Sequence, residues 1–461
     1  MDQSLVFDLS LINKYDYSGP RYTSYPTAPQ FHEAFGEAEY RDIATRSNEN
    51  GSPLSLYFHI PFCDTICFYC ACNKVATKDR SMGTDYLARV YKEIAMQGEL
   101  FDRSRKVEQL HWGGGTPTFI SHQQMRDLMR VTGEHFTLMD DDSGEYSIEI
   151  DPREATAETI KTLREIGFNR LSMGVQDLDE KVQKAVNRVQ SEAETMTVLE
   201  AAHDNGFRSV SIDLIYGLPF QTSKSFMSTL DRIIEVGPDR LSVFNYAHLP
   251  QIFKPQRRIN ESELPPAEVK LEILQMTIEH LTAAGYVYIG MDHFARPDDE
   301  LAIAQREGTL YRNFQGYSTH AECDLVAMGV TSIGMIDATY SQNLRGLDEY
   351  YQQIDKGRLA VFRGLELNRD DLIRRDVITR LICHFQMDFS AIEKAWDINF
   401  SDYFAADLPK LQGMEKDGLL SVNDGRITVL PRGRLLIRNI CMAFDQYLPP
   451  AAQQKNFSKV I

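Results

Sequence analysis

Leu54-Ser-Leu-Tyr-Phe-His59-Ile-Pro-Phe-Cys63-Asp-Thr-Ile-Cys67-Phe-Tyr-Cys70-Ala-Cys72 runs an apolar, β-rich stretch straight into four cysteines. The first three make a C-x3-C-x2-C triplet, and the ligand count decides its reading. A structural zinc or a closed four-iron cluster needs four protein ligands. Three thiolates on a four-iron cluster leave one iron open to a small molecule. An open iron beside a strand end is what S-adenosylmethionine radical chemistry requires, because the amine and carboxylate of the methionine part can chelate it. A zinc knuckle using all four cysteines and a disulfide pair are the alternatives. The C-x3-C opening is unusual for zinc, however, and no C-x2-C partner pair follows downstream.

Around this stretch lies a chain of 461 residues, 43% hydrophobic and 25% charged. That composition suits a globular protein of two or three domains with real cores. No apolar run approaches the roughly 20 residues of a membrane span. The start, Met-Asp-Gln-Ser-Leu, has no basic segment followed by an apolar core. A cytoplasmic protein is expected. Cys323, Cys383 and Cys441 are scattered and read as buried apolar residues. Lysine and arginine number 49 against 66 acids, a net charge of −17. Nucleic-acid binding, which needs a basic face, is disfavoured. A locally basic pocket for an anionic small molecule is not.

From residue 51 the pattern alternates. Apolar runs at 54–60, 108–112, 146–151, 170–175, 209–216 and 240–247 are separated by longer amphipathic stretches such as 84–99 and 191–205. Strand–helix repetition predicts a parallel sheet wrapped by helices with right-handed crossovers. Six such units predict a partial (β/α)6 barrel of TIM type, with Tyr286–Met291 as an extra strand. Function should then sit at the carboxyl ends of the strands. Residues 1–50 read as an arm, in which Ser18–Thr27 is rich in Gly, Pro and Tyr. Its tyrosines are expected either over a site or packed on the nearest domain. Past about 365 a charged amphipathic helix, 369–382, opens a mainly helical C-terminal domain, 366–461, interrupted by a hairpin turning at Asn423-Asp-Gly425.

Polar residues recur at the strand ends. His111-Trp-Gly-Gly-Gly-Thr116 closes the second strand, and its glycines let the backbone approach a ligand. No Gly-Lys-Ser/Thr follows, so a nucleoside triphosphate loop is disfavoured. Glu149 lies between Ile148 and Ile150, Gln176 ends the fourth strand, and Asp213 sits inside Ile212-Asp-Leu-Ile. A carboxylate inside an apolar strand needs a cation or several donors, since burying it unpaired costs several kcal/mol. Each residue alone reads more readily as a satisfied structural group than as a ligand contact; together they point to one ligand site. Arg188 could pair with a cofactor carboxylate or a surface acid. Asp292, His293 and Arg296 follow another strand and are weaker candidates.

The His59–Lys74 run, with its fourth cysteine one residue beyond the triplet, resembles the oxygen-independent coproporphyrinogen III oxidase (dehydrogenase) family of the radical S-adenosylmethionine superfamily. The likeness continues through Gly19–Thr27, His111–Thr116, Gly167–Gln176, Ile212–Gly217, Phe244–His248, Met291–Arg296, Asn313–Tyr317 and Arg438–Met442. The triplet is superfamily-wide; the combination is specific. The resemblance implies that Cys63, Cys67 and Cys70 hold one [4Fe-4S] cluster and that Cys72 is not a ligand. It places one S-adenosylmethionine on the open iron against Tyr57, Gly114, Glu149 and Ile333. A second molecule would contact Tyr69, Gly115, Thr116, Gln176, Arg188, Asp213 and Ala247.

It further implies that a 5′-deoxyadenosyl radical abstracts a β-hydrogen from a substrate propionate. Loss of carbon dioxide and one electron then leaves a vinyl group. Two propionates of coproporphyrinogen III are so converted, giving protoporphyrinogen IX. An external one-electron donor, a terminal electron acceptor and a monomeric chain are implied as well. A related haem-handling protein without oxidase activity is the rival within the superfamily. The four substrate carboxylates call for basic residues; Arg21, Lys74 and Arg296 are the candidates.

Overall fold

The computed structural model describes residues 5–448; the outermost parts of the expected arm and C-terminal domain, 1–4 and 449–461, lie outside them. Backbone contacts divide the chain into two compact units, one of 31–266 with 322–366, the other of 1–30, 267–321 and 367–461. Residues 267–321 thus group with the first and last parts of the chain.

In the first unit all six expected strands form: β1 (Leu54–Ile60), β2 (Lys106–Gly114), β3 (Glu145–Ile150), β4 (Arg170–Gln176), β5 (Ser209–Tyr216) and β6 (Arg240–Asn245). They pair in parallel, each with its sequence neighbour, as right-handed crossovers of a partial barrel require. Beyond β1 the sheet continues through strands that the apolar runs did not reveal. β7 (Asp324–Met328) is parallel to β1, and β8 (Ile333–Ile336), β9 (Thr339–Asn343) and β10 (Val361–Glu366) follow antiparallel.

The helices between the strands start where the sequence supplies caps. Ser121, Thr156, Ser191 and Thr222 each accept a backbone N–H three residues on and open the helices at His122, Ala157, Glu192 and Ser223. Each such cap contributes about 1 kcal/mol. The barrel strands bury one face outright: Tyr146, Ile148 and Ile150 on β3, Leu171, Met173 and Val175 on β4, Ile212, Leu214 and Tyr216 on β5. The period of two sends Glu149, Gln176 and Asp213 to the opposite face. Glu93, wholly buried on helix Ser81–Gly98, ties the added strands to the barrel. It accepts from Gly329 N–H (2.8 Å), the Asn343 amide (2.7 Å) and Tyr350 O–H (2.6 Å).

In the second unit Val287–Gly290 pairs antiparallel with His293–Ala295, and Tyr311–Asn313 with Gly316–Ser318. Helix Arg369–His384 covers the expected 369–382. The expected hairpin forms with Asp424 and Gly425 at φ 52° and 71°, the left-handed pair that a two-residue primed turn demands. Tyr22 and Tyr25 are buried: Tyr22 donates to Asp445 (3.0 Å), and Tyr25 Oη accepts from Gln446 N–H (3.1 Å). Of the two readings of the arm, packing on its own unit is the one realised. All seven cysteines are free thiols, and Cys323, Cys383 and Cys441 are buried. Among the described residues no helix is long and apolar enough to cross a membrane.

Candidate functional site

A cavity of about 240 Å³ opens in the first unit at the carboxyl ends of β2 to β5. Cys63, Cys67 and Cys70 line it together with Tyr69, Gly114, Gly115, Thr116, Glu149, Gln176, Arg188 and Asp213. The strand register explains the convergence, for Glu149 faces Ser172 across β3 and β4, and Gly174 faces Asp213 across β4 and β5. Tyr57, Ala247 and Ile333 are not on the cavity wall. Tyr57 lies on β1, Ala247 follows β6 and Ile333 begins β8.

The cysteine loop leaves β1 and is pinned at both ends. Phe62–Cys63 pairs with Val75–Ala76, and the glycine turn after β2 grips its start, with Gly115 N–H on Ile60 O and Thr116 N–H on Phe62 O, both at 2.8 Å. Thr116 Oγ1 contacts Cys63 Sγ at 3.6 Å. Burial pushes the Cys63 thiol up to about 11. A hydrogen bond from Cys72, helped by the charge of Lys74, pulls the Cys70 thiol down.

Cys67 has the most structured surroundings. Arg153 Nη2 and Arg188 Nη1 each lie 3.6 Å from its sulfur. Asp151 holds both guanidiniums, at 2.7 Å and 2.8 Å. Burial opposes the charge on Asp151, but Arg188 and Arg153 overcome it and keep the carboxyl below its ordinary range. Asp151 and Arg153 stand immediately past Glu149 on the same strand end, where the strand-end rule could have found them.

Glu149 is equally prepared. Burial opposes its charge, but His111, the Gly114 N–H and His59 outweigh that and hold the carboxyl low. Gly114 N–H donates to it at 3.0 Å and His111 Nε2 lies 3.6 Å away, while the carboxylate opens onto the cavity. Tyr57 stacks on His111, ring centres 5.8 Å apart, and reaches His59 Nδ1 at 3.0 Å. His59 Nε2 is 3.0 Å from Asn73 O. A carbonyl cannot donate, so the proton sits on Nε2 and Nδ1 accepts from the tyrosine. The imidazole of His59 fills the space where Gly114, at φ 120°, would carry a side chain.

Asp213 contrasts with Glu149. Burial, above all, pushes it up to about 6, against hydrogen bonds from Ser242 and Ser172. Gln176, in left-handed conformation at φ 71°, leaves its buried Oε1 without a partner, as does Arg188 with its Nε.

Three thiols, with carboxylates and guanidiniums lining the same cavity, fit an iron–sulfur cluster together with a zwitterionic, cationic cofactor. The thiols supply soft anionic ligands. Glu149 and Asp213 supply acceptors for ammonium and hydroxyl groups, and the unfilled Arg188 Nε and Gln176 Oε1 supply a donor and an acceptor.

Of the remaining sequence candidates, Lys74 lines the cavity and donates to Cys70 O at 3.2 Å. Arg21 pairs with Asp292 at 2.8 Å. Arg296 is half-exposed near Asp298, at 3.8 Å.

Comparison with known proteins agrees with this chemistry. Residues 57–233 match the Radical SAM superfamily and 367–436 the HemN C-terminal domain. An oxygen-independent coproporphyrinogen III oxidase of Pseudomonas aeruginosa is 56% identical over 461 residues, covering all of both chains. Its Escherichia coli counterpart is 54% identical over 459 residues, covering 100% of this chain and 99% of its own. The solved structure of coproporphyrinogen III oxidase (HemN) from Escherichia coli, a radical SAM enzyme, superposes with a TM-score of 0.92 at 52% identity, covering 96% of this chain and 100% of that one.

Proposed function

Because this chain belongs to the oxygen-independent coproporphyrinogen III oxidase family of radical SAM enzymes, we propose a role for each wall of its cavity. The enzyme is an oxidoreductase of haem biosynthesis that uses a [4Fe-4S] cluster and S-adenosylmethionine and acts on coproporphyrinogen III. Full-length likeness to oxidases favours this activity over a haem-handling role. The cavity lined by three cysteines together with Glu149, Asp213 and Arg188 carries the assignment.

Cys63, Cys67 and Cys70 hold the cluster. Bound together, cluster and S-adenosylmethionine supply a hydrogen-abstracting radical; the protein supplies position and exclusion of water and oxygen. Glu149, kept ionised by His111 and Gly114, takes the ammonium of the first S-adenosylmethionine, with Tyr57, Gly114 and Ile333 around it. Tyr57 is set by its hydrogen bond to His59. Arg188, Gln176 and Asp213, with Tyr69, Gly115, Thr116 and Ala247, take a second molecule. Asp151 holds Arg153 and Arg188, which direct N–H groups at Cys67.

Each propionate gives up a β-hydrogen, carbon dioxide and one electron, so an external donor must prime the cluster and an acceptor must take the last electron. We assign the catalytic chemistry to 51–365, with 1–50 as an arm and 366–461 as a C-terminal domain. The protein acts as a cytoplasmic monomer.

The test of function is turnover with label. Given reductant and S-adenosylmethionine without oxygen, coproporphyrinogen III should yield protoporphyrinogen IX with two carbon dioxide molecules. Deuterium at the propionate β-carbons should appear in 5′-deoxyadenosine. S-adenosylmethionine cleavage without vinyl product or transferred label would return the reading to a haem-handling protein.

Asp213 makes a second prediction. Its pKa in the fold, about 6, exceeds the ordinary 3.8, so ionisation costs stability. The penalty is absent below about pH 4, grows as pH rises through 6, and persists above. Asp213→Asn should therefore stabilise the ligand-free protein at pH 8 by on the order of 1–3 kcal/mol and do nothing at pH 4. Calorimetry on reconstituted protein should show two S-adenosylmethionine sites, the second weakened more than the first. One site in the wild type would remove the basis for Gln176, Arg188 and Asp213.

A further inference from the structure

Two guanidiniums converge on the sulfur of Cys67, those of Arg153 and Arg188, each at 3.6 Å. Arg188 already has a place against S-adenosylmethionine; Arg153 has none. What fixes Arg153 is local. Asp151 accepts its backbone N–H at 3.1 Å and so opens the short turn Pro152–Glu154. The same carboxylate then takes Nε at 3.0 Å on one oxygen and Nη2 at 2.7 Å on the other, a fork held on both arms. Each Nη carries two hydrogens. One hydrogen of Arg153 Nη2 goes to Asp151, which leaves the other for Cys67. Arg188 repeats the arrangement, with Nη1 on the same carboxylate oxygen at 2.8 Å and Nη2 donating to the Gly174 carbonyl.

This pairing has an electrical consequence. Two guanidiniums on one carboxylate leave the trio net positive. The side chains of Arg153, Arg188 and Asp151 are 16%, 7% and 10% exposed, so water screens that charge little. A thiolate at Cys67 thus receives two charge-assisted N–H groups, whereas Cys63 meets the neutral Thr116 hydroxyl. Net charge, hydrogen bonds to sulfur and solvent exposure are the levers by which a protein sets the potential of an iron–sulfur cluster. Gain of one electron makes a cluster and its thiolates more negative. A fixed cation with N–H donors on a ligand sulfur stabilises that state more than the oxidised one.

We propose that Arg153 is a positioning residue that raises the reduction potential of the cluster through Cys67. The step it favours is transfer of one electron from an external one-electron donor, with no protein bond made or broken. The proposal rests on the assignment of Cys67 as a cluster ligand. Arg153 is the residue to test, because a change at Arg188 would disturb S-adenosylmethionine as well.

Wild type, Arg153→Met and Arg153→Lys are reconstituted without oxygen and titrated with dithionite in the presence of redox mediators. The reduced cluster is read by electron paramagnetic resonance. Arg153→Met should make reduction about 10-fold less favourable, a potential lower by about 59 mV for one electron. Arg153→Lys should fall less, since it keeps the charge and loses only the fork. Iron per chain and calorimetric affinity for S-adenosylmethionine should match wild type in both. Arg188 still pairs with Asp151 in either variant, so no carboxylate is stranded. Turnover should drop more with a weak reductant than with excess dithionite, because the rate follows the fraction of cluster reduced.

Equal potentials in wild type and Arg153→Met would overturn the proposal. So would failure of both variants to assemble a cluster, which would make Arg153 a scaffold for the cysteine loop. Lost S-adenosylmethionine affinity at an unchanged potential would also overturn it, by making Arg153 a cofactor contact. A wild-type chain with no reducible cluster would instead strike the assignment of Cys63, Cys67 and Cys70, and with it the functional reading.

Discussion

Serine in place of Cys63, Cys67 or Cys70 is expected to abolish the broad iron–sulfur absorption of the reconstituted protein. Turnover should fall by at least about a thousand-fold, more than ~4 kcal/mol of barrier. A serine hydroxyl is not ionised at neutral pH and cannot replace a thiolate as a ligand to iron. No spare donor stands ready either, because Cys72 is engaged with Cys70 and Lys74. Cys67→Ser should be the most severe for assembly, as it also strands the two guanidiniums that Asp151 holds against that sulfur. Cys72→Ser should keep the absorption while impairing activity. Cluster loss in Cys72→Ser, with retention in any of the other three, would reassign the ligands.

Gly115→Ala should cost about a hundred-fold in activity or more, with less iron bound per chain. A Cβ at this position would lie 2.7 Å from Phe62 O and 2.8 Å from Pro61 O. These are backbone atoms at the root of the cysteine loop. They cannot rotate away, so the glycine turn and the loop must separate. The bonds at Ile60 O and Phe62 O then break, and Thr116 moves off Cys63. Displacing a positioned group by even 1 Å can cost about 10²-fold. Gly413→Ala, where a Cβ meets nothing within 4 Å, is the control and should change neither iron content nor rate. Wild-type iron and turnover in Gly115→Ala would show that the turn is not a positioning element.

What could be read from the residues divides along physical lines. The six barrel strands are apolar runs of a length and spacing that only a repeated strand–helix unit explains, and they formed within a few residues of expectation. The polar strand ends were legible because a period of two sends Glu149, Gln176 and Asp213 to the face opposite their apolar neighbours. β7 to β9 were not, since strands of four or five residues joined by short turns have no helix-sized spacers to punctuate them, and β10 alone follows a helix, Leu347–Asp355. Asp151 and Arg153 escaped because they pair only after the chain turns at Pro152. Tyr57, Ala247 and Ile333 rest on resemblance, since none touches the cavity wall.

The division into two units bears on how the molecule is made. The unit that carries the cysteines draws on 31–266 and 322–366, so all its segments have been synthesised by residue 366. The other unit needs residues near both termini and must wait for the end of translation. β1, made early, cannot pair with β7 until the chain has reached residue 328, a closure across a very long loop and hence a slow step. During that interval β1 presents an unpaired edge next to the cysteines. Nascent chains stalled before residue 324 should accordingly be more exposed to chaperones and to oxidation of those thiols than chains released beyond 366. Oxygen-poor growth would protect this enzyme while it is being born as well as while it works.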